Sequence, residues 1–243
     1  MDPAGFYDAL SPHFHLIHPD WERSVELQGE QLDGILREFV PGARTVLDCA
    51  CGIGTQAVGL AARGYDVTAS DIAETALARA RREAERRGLA VAFSLADMRE
   101  VAGGPFDVVL AADNAVPHLL TDADILRAFG AFRRCTRPGG ACVVTVRDYA
   151  AMERSGVQLQ AHAAHRVGDA LVSVYQVREF DGPTYVLNLY VVEDAGERRT
   201  VHVARTRYYA VPADRLLELL REAGFPDARR IDGRFFQPVL VGR

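Results

Sequence analysis

Short apolar runs alternate with amphipathic stretches from residue 45 onward. The runs are rich in β-branched residues and predict five strands, at 45–47, 66–69, 91–95, 106–111 and 140–146. Helical spacing of apolar residues predicts the helices between them, one of which covers 74–87 and ends at Gly88. Strands that alternate with helices form β-α-β units, so the pattern predicts an α/β fold with a doubly wound, mostly parallel sheet.

The pattern differs on either side of this alternation. Residues 1–43 are rich in aromatic side chains and include an amphipathic stretch, which predicts an N-terminal helical lid. Residues 166–210 predict an insertion of three antiparallel strands, because turn sequences separate the segments 170–180, 185–193 and 199–209. We expect this insertion to be a substrate lid or a dimer surface. The core then comprises 44–165 and 211–243, and it closes with a helix after Pro212 and with strands near 228–231 and 235–241.

Composition narrows the possible functions. All 28 basic residues of the 243 are arginines, which excludes enzymes that need a Schiff-base lysine or the lysine of a P-loop. The formal net charge of -5 predicts no nucleic-acid partner, and no uncharged apolar run is long enough to predict a membrane span. The N-terminus has no signal-peptide pattern, and the four cysteines form no C-x-x-C pair. We therefore expect a cytoplasmic protein with reduced thiols.

The most informative segment is a glycine turn that follows the first strand. Asp48 ends the strand, Gly52 and Gly54 form the turn, and a helix begins after them. Glycines allow close approach of a ligand to the backbone, and a helix N-terminus favours negative charge. The spacing also satisfies a dinucleotide-binding fingerprint, so the turn alone leaves a nicotinamide cofactor open.

Three acids after three successive strands distinguish these alternatives. Asp48 would repel a pyrophosphate but hold an ammonium group, Asp71 is placed to accept from two ribose hydroxyls, and Asp97 is placed to meet an adenine amine. Each acid alone is better explained by solvation at a strand end or by helix capping. Together they describe a nucleoside that carries an amino-acid tail and no phosphate, which is S-adenosylmethionine.

These motifs resemble those of the class I S-adenosylmethionine-dependent methyltransferases. Residues 48–54 resemble the first motif of that family, with Cys51 where many members have glycine, and Arg137-Pro138-Gly139-Gly140 resembles the turn before its fifth strand. The resemblance implies seven strands, the last antiparallel. It implies cofactor contacts from Asp48, Ala50, Cys51, Gly52, Gly54, Asp71, Ile72, Asp97, Met98, Asp113 and Tyr7.

The acceptor side should lie where the fourth and fifth strands end. There Asn114, His118 and Arg147 resemble the glycine and sarcosine N-methyltransferase branch, in which an arginine holds the substrate carboxylate. We predict these three as catalytic residues, with His118 as a candidate proton acceptor. A salt bridge from Arg147 to Asp148 or Asp113 is an equally good explanation of the arginine.

The predicted function is therefore methyl transfer from S-adenosylmethionine to a small molecule, at nitrogen (glycine or sarcosine, for example) or at oxygen. A base substrate is disfavoured because the Asn/Asp-Pro-Pro-aromatic motif of base methyltransferases is missing. A nicotinamide-dependent oxidoreductase and a non-catalytic nucleoside-binding module are the alternatives.

Some residues remain open between a functional and a packing role. His13, His15 and His18, like His162 and His165, have spacings that metal sites use, but we predict no metal, because histidines are more often hydrogen-bonded polar residues. Tyr7, His15 and Trp21 either fold over the cofactor or pack a helix on the sheet. Arg178, Arg205 and Arg207 either anchor an anionic substrate or face solvent. The aromatics of the insertion are either cross-strand pairs or a wall over the acceptor: Tyr175, Phe180, Tyr185, Tyr190, Tyr208 and Tyr209.

Overall fold

The computed structural model describes residues 3–17 and 20–243, with the side chains of residues 14 and 15 outside that description. The helices are α1 (Pro3–Leu10), α2 (Trp21–Phe39), α3 (Thr55–Ala61), α4 (Glu74–Arg86), α5 (Asp122–Cys135) and α6 (Ala213–Glu222). Two short 3-10 helices cover Phe14–Ile17 and Val116–Leu119. Within the described ranges, no helix is both long and apolar enough to cross a membrane.

Seven strands form the predicted doubly wound sheet: β1 (Thr45–Cys49), β2 (Asp66–Asp71), β3 (Val91–Leu95), β4 (Phe106–Ala111), β5 (Thr136–Thr145), β10 (Ala228–Ile231) and β11 (Val239–Gly242). Their order is β10-β11-β5-β4-β1-β2-β3. The first five strands run parallel, and β11 pairs antiparallel with both β5 and β10. The sequence prediction of a mostly parallel seven-stranded sheet with an antiparallel last strand is confirmed.

Helices cover both faces of this sheet, which explains the uninterrupted apolar runs of the central strands. Val46 and Leu110 contribute to a core that includes Leu36 of α2, whereas Leu47 and Val109 contribute to the opposite core with Phe132 of α5. Strands that are buried on both faces need apolar residues at every position. Because β1, β2, β4 and β5 run parallel, their carboxyl ends share one edge of the sheet, and the predicted site residues follow the strands there.

A second sheet has four antiparallel strands: β6 (Val157–Val167), β7 (Ala170–Asp181), β8 (Thr184–Ala195) and β9 (Arg198–Tyr209). The aromatics form cross-strand pairs, as one of the two interpretations predicted. Tyr175 opposes Tyr190 with ring centroids 4.8 Å apart, and Tyr185 opposes Tyr208 with centroids 5.4 Å apart. The inward face of this sheet contributes Val172, Val174 and Leu189 to the core that contains α5.

The first strand of this sheet was missed by the sequence analysis. Residues 157–165 were placed in the core, so the predicted start of the insertion at 166 is too late. The physical reason is that β6 is an edge strand, exposed along most of its length and rich in alanine. Apolar and polar residues do alternate over 157–163, but Val157 and Leu159 are both 73% exposed and the next apolar residues of the alternation are small alanines, so this alternation does not mark a buried face.

Candidate active site

A cavity of about 510 Å³ lies at the carboxyl edge of the large sheet. This volume falls within the range of small-molecule sites. Nine of the eleven residues predicted to contact the cofactor line it, and Asp48 and Gly54 do not. The nine are Tyr7, Ala50, Cys51, Gly52, Asp71, Ile72, Asp97, Met98 and Asp113.

The two glycines of the turn have different roles. Gly52 (φ +55°) lines the cavity, and a Cβ at this residue would have no atom within 4 Å. Gly54 (φ +90°) lies under helix α4, where a Cβ would approach Cβ of Ala80 to 3.1 Å. Gly52 therefore leaves space for a ligand, whereas Gly54 allows close packing of the loop on a helix.

Strained backbone is concentrated at this cavity. Among the described residues, four other than glycine have positive φ: Ala50, Asp113, Asn114 and Leu120. Three of them line the cavity, and Asn114 follows Asp113 directly. Such conformations cost free energy and cluster at functional sites. Their pattern supports the assignment of this cavity as the site.

Asp48 differs from its predicted position. Its carboxylate is 1% exposed and lies beneath the turn, away from the cavity lining. Within the described part of the chain, neither oxygen has a hydrogen-bond partner. Burial raises the pKa of this carboxyl well above its usual range, and the charge of Asp71 raises it further, although the Ala57 amide partly offsets both. Asp48 therefore does not line the cavity, in contrast to its predicted contact with a cofactor amine, and burial favours the neutral form of its carboxyl.

Asp71 connects the second strand to the glycine turn. Its carboxylate accepts hydrogen bonds from the backbone N–H of Gly52 (2.8 Å) and of Ala73 (2.9 Å). Burial raises the pKa of Asp71, while these backbone donors lower it in part. Because each carboxylate oxygen has further lone pairs, the residue can hold the turn and still accept from ribose hydroxyls.

Asp97 also lines the cavity, but a neighbour that the sequence analysis overlooked accompanies it. Arg99 Nη2 lies 2.6 Å from Asp97 Oδ2, and Arg99 contacts Asp124 through its other terminal nitrogen. The Arg99 guanidinium lowers the pKa of Asp97. Since Arg99 lines the same cavity, it is an additional candidate for the nucleoside end of the site.

A second cavity of about 810 Å³ adjoins the first, and the two share Tyr7 and Asp113 in their linings. Arg147 lines the second cavity and donates to the Tyr185 hydroxyl at 2.9 Å. The alternative that Arg147 forms a salt bridge is wrong for the described residues, none of which places a carboxylate within 4.0 Å of it. Asp148 instead pairs with Arg230 at 2.5 Å. The predicted anion-binding role of Arg147 is thus compatible with its surroundings.

Asn114 does not reach either cavity, which corrects its prediction as a catalytic residue. It is 1% exposed, its amide contacts the Tyr149 hydroxyl at 2.9 Å, and its Oδ1 accepts from the Arg147 backbone N–H at 3.0 Å. These contacts tie the loop after β4 to the end of β5. Asn114 is therefore a positioning residue for Arg147.

His118 lines the cofactor cavity, but its basicity is low. Its Nε2 lies 2.9 Å from the Tyr7 hydroxyl, and its Nδ1 lies 3.4 Å from Thr206 Oγ1. Burial lowers the pKa of His118 to about 3, and the charge of Arg147 lowers it further. The imidazole is neutral at neutral pH, which argues against the predicted proton-acceptor role and for a hydrogen-bonding one.

The N-terminal segment combines both predicted roles. Tyr7 lines both cavities, whereas Trp21 packs between Ile53 and Val58 and donates to Thr55 Oγ1 at 3.2 Å. His18 and the side chain of His15 lie outside the described residues. His13 instead meets His202 and Glu193 of the second sheet, with all three potential ligand atoms within 4.8 Å of one another. The two imidazoles stack with centroids 3.6 Å apart and an interplanar angle of 25°.

Comparisons with known proteins identify the family of part of the chain and the fold of nearly all of it. Residues 46–140 match the family of methyltransferase domains. A glycine/sarcosine N-methyltransferase of Parasynechococcus marenigrum is 32% identical over 133 residues, which cover 54% of this chain and 46% of that protein. The chain spans about half the length of the curated relatives it matches.

Solved structures share the fold along nearly the whole chain. The CcbJ methyltransferase of Streptomyces caelestis has a TM-score of 0.81 at 19% identity and covers 100% of this chain and 99% of its own. CalS10 of Micromonospora echinaspora, an amino pentose methyltransferase solved with S-adenosylmethionine, has a TM-score of 0.79 at 20% identity and covers 90% and 93%. The predicted class is therefore confirmed: the fold and the 46–140 domain are those of the class I S-adenosylmethionine-dependent methyltransferases. S-adenosylmethionine is the cofactor of that class.

Proposed function

We propose that this protein transfers the methyl group of S-adenosylmethionine to an amine nitrogen of a small-molecule acceptor that occupies the second cavity. The observation that carries the proposal is that the two cavities share Tyr7 and Asp113 in their linings, where we expect them to meet. Methyl transfer requires a nucleophile behind the methyl carbon, and two cavities that meet at one place provide that alignment.

The residues of the first cavity fit the cofactor. Gly52 leaves open space beside the turn, Asp71 retains acceptor capacity, and Asp97 and Met98 line the end expected for adenine. When bound, the cofactor supplies an electrophilic methyl group on a sulfonium. The protein therefore needs to bind, orient and exclude water rather than to activate the methyl donor.

Asp113 is the candidate group that receives the acceptor amine. Its positive φ of 51° is held by Gln237, whose Nε2 donates to Oδ1 at 3.0 Å, and by the Thr145 hydroxyl, which accepts from the Asp113 N–H at 2.8 Å. As the new N–C bond forms and the C–S bond breaks, the nitrogen becomes cationic and releases one proton. A carboxylate at the junction stabilises that charge and is placed to accept the proton.

The acceptor is larger than glycine or sarcosine in this proposal. The second cavity has about 810 Å³ and combines Arg147 with apolar side chains such as Phe6, Met152 and Leu187. A glycine/sarcosine N-methyltransferase and an amino pentose methyltransferase are among its relatives and structural neighbours, and both names denote amine-bearing substrates. These names support nitrogen as the methylated atom, whereas a ubiquinone biosynthesis O-methyltransferase that is 38% identical over 120 residues keeps oxygen as the alternative.

Calorimetric titration with S-adenosylmethionine, S-adenosylhomocysteine and NAD tests the cofactor. We expect micromolar binding of the two sulfur nucleosides and none of NAD. NAD binding alone would support the oxidoreductase alternative. Turnover is then tested by mass spectrometry of an amine and alcohol panel with glycine and sarcosine included, comparing wild type with Asp113→Asn. Methylated alcohols without methylated amines, or full turnover by the variant, would contradict the proposed chemistry.

A further inference from the structure

The second cavity contains a second arginine that the methyl-transfer chemistry leaves unexplained. Of the three arginines that the sequence analysis considered in the insertion, Arg205 is exposed and Arg207 donates to the Thr184 hydroxyl at 2.9 Å near the sheet margin. Arg178 alone lines the cavity, and it is 7% exposed. Strand alternation produces this difference, because Arg178 lies on the inward face of β7 with Gln176.

The guanidinium of Arg178 has no anionic partner in the described parts of the chain. Its Nε and Nη2 both donate to one atom, Gln176 Oε1, at 3.3 Å and 3.0 Å. The Gln176 amide nitrogen lies 2.5 Å from His162 Nε2. His162 therefore contacts Gln176, and Gln176 in turn fixes the position of the Arg178 guanidinium. A guanidinium has five N–H donors, and this arrangement leaves several of them for a ligand.

Arg147 lines the same cavity as Arg178. It donates to Tyr185, which is the diagonal neighbour of Arg178 on the inward face, since Arg178 opposes Leu187 in the β7–β8 register. Burial lowers the pKa of Arg178, and the charge of Arg147 lowers it further. The positive charges of Arg147 and Arg178 therefore repel each other within this cavity.

The charges of this cavity do not balance. Its acidic lining residues are Asp113, at the junction with the cofactor cavity, and Asp148, which is already paired with Arg230. One buried cation, Arg178, and one half-buried cation, Arg147, then face one available carboxylate. Unpaired buried charge is costly, and proteins retain it where a ligand supplies the counter-charge.

We propose that the acceptor carries an oxyanion group, a carboxylate or a phosphate, and that Arg147 and Arg178 hold it jointly on the inward face of the second sheet. This inference rests on the proposed function and specifies its substrate class: an amine at one end, at Asp113, and an oxyanion toward the sheet. Gln176 and His162 are positioning residues for Arg178. The planar fork of a guanidinium suits either oxyanion.

The test uses the full chain saturated with S-adenosylhomocysteine and titrated with acetate, inorganic phosphate or chloride at equal ionic strength. Binding is measured by calorimetry and by the shift in melting temperature. We expect acetate or phosphate to bind and chloride not to. Arg178→Gln should weaken that binding by about tenfold or more, whereas the matched exposed variant Arg205→Gln should leave it unchanged.

The outcomes separate the two proposals. Affinity for S-adenosylhomocysteine within about twofold of wild type shows that Arg178→Gln is folded. Arg178→Lys is a second variant, which keeps the positive charge but loses the planar pair of N–H donors of the guanidinium. Preference for acetate supports a carboxylate acceptor, and preference for phosphate supports a phosphorylated one. Equal behaviour of all three anions, or unchanged anion binding in Arg178→Gln, overturns the inference. Failure of S-adenosylhomocysteine to bind wild type would instead overturn the proposed function.

Discussion

The Tyr7 hydroxyl and the His118 imidazole lie 2.9 Å apart and join α1 to the loop after β4 across 111 residues of sequence. Both side chains line the cofactor cavity, and Tyr7 also lines the second cavity. This hydrogen bond therefore closes the N-terminal segment over the place where donor and acceptor are expected to meet.

Tyr7→Phe should reduce the affinity for S-adenosylhomocysteine by about fivefold and the free energy of unfolding by about 1 kcal/mol, because the hydrogen bond to His118 is lost. Tyr65→Phe is the matched control, since the Tyr65 hydroxyl donates to Asp33 at 2.8 Å away from both cavities. It should lose similar stability and no affinity. Calorimetry and urea unfolding measure the two quantities, and equal affinity loss in both variants would remove Tyr7 from the site.

Asp71→Ala should weaken binding of S-adenosylhomocysteine by about a hundredfold or more. The variant loses the carboxylate that would accept hydrogen bonds from the ribose hydroxyls, and it loses the hydrogen bond from the Gly52 N–H. Asp66→Ala, at the exposed start of the same strand, is the control and should bind normally. Normal binding by the Asp71 variant, measured by calorimetry, would show that the ribose site is wrongly assigned.

Gly54→Ala and Gly52→Ala should affect different properties of the protein, the first mainly its stability and the second mainly its affinity for the cofactor. Gly54→Ala should lower the free energy of unfolding by roughly 2–4 kcal/mol, from backbone strain and the contact with Ala80. Gly52→Ala should cost only about 1 kcal/mol but place a methyl group in the cavity and weaken cofactor binding by about tenfold. Urea unfolding and calorimetry on both variants test this, and the reverse ranking would contradict it.

The low pKa of His118 predicts a specific loss of stability in acid. Below its ordinary pKa of 6.5 the unfolded chain binds a proton at this residue, whereas the folded chain does not until the pH approaches about 3. The contribution is therefore complete above pH 6.5 and should fall by about 2 kcal/mol by about pH 5. His118→Gln should lack this component. Urea unfolding of both proteins between about pH 5 and pH 8 measures the difference, and parallel curves would contradict the buried neutral imidazole.

Asp48→Asn should stabilise the ligand-free protein by about 1–3 kcal/mol, since it removes a buried carboxylate without a hydrogen-bond partner in the described chain. Because burial raises the pKa of Asp48 above its ordinary value of 3.8, the penalty of its charge grows as pH rises from 3.8 towards the raised pKa and is complete above it, so the gain should grow over that range. Asp107→Asn is the opposite control. The Asp107 carboxylate accepts from the Arg44 and Thr45 backbone at 2.7 Å and 2.9 Å, and its loss should destabilise. Urea unfolding that shows Asp48→Asn to be destabilising would contradict this account of Asp48.

Local sequence determined the elements of the core and the segments that form the candidate cofactor site. Apolar runs such as 106–111 can be predicted as strands from the sequence because both faces of the strand are buried. The glycine turn can be recognised in the sequence because its backbone conformation requires particular residues. The acids after β2 and β3 follow from the same regularity, since parallel strands end at one edge.

Tertiary structure alone decided which side chains face a cavity. Asn114 and Asp113 are adjacent in sequence, yet one is buried against Tyr149 and the other lines both cavities. Arg178 and Arg205 were indistinguishable in sequence, and only the pairing of β7 with its neighbours turns one inward and the other outward. Residues 157–163 of the edge strand β6 alternate between apolar and polar, yet Val157 and Leu159 are exposed, so only the pairing with β7 places this segment in the sheet. The physical reason is common to all three: local patterns specify backbone conformation, whereas burial and charge pairing depend on segments that meet only after folding.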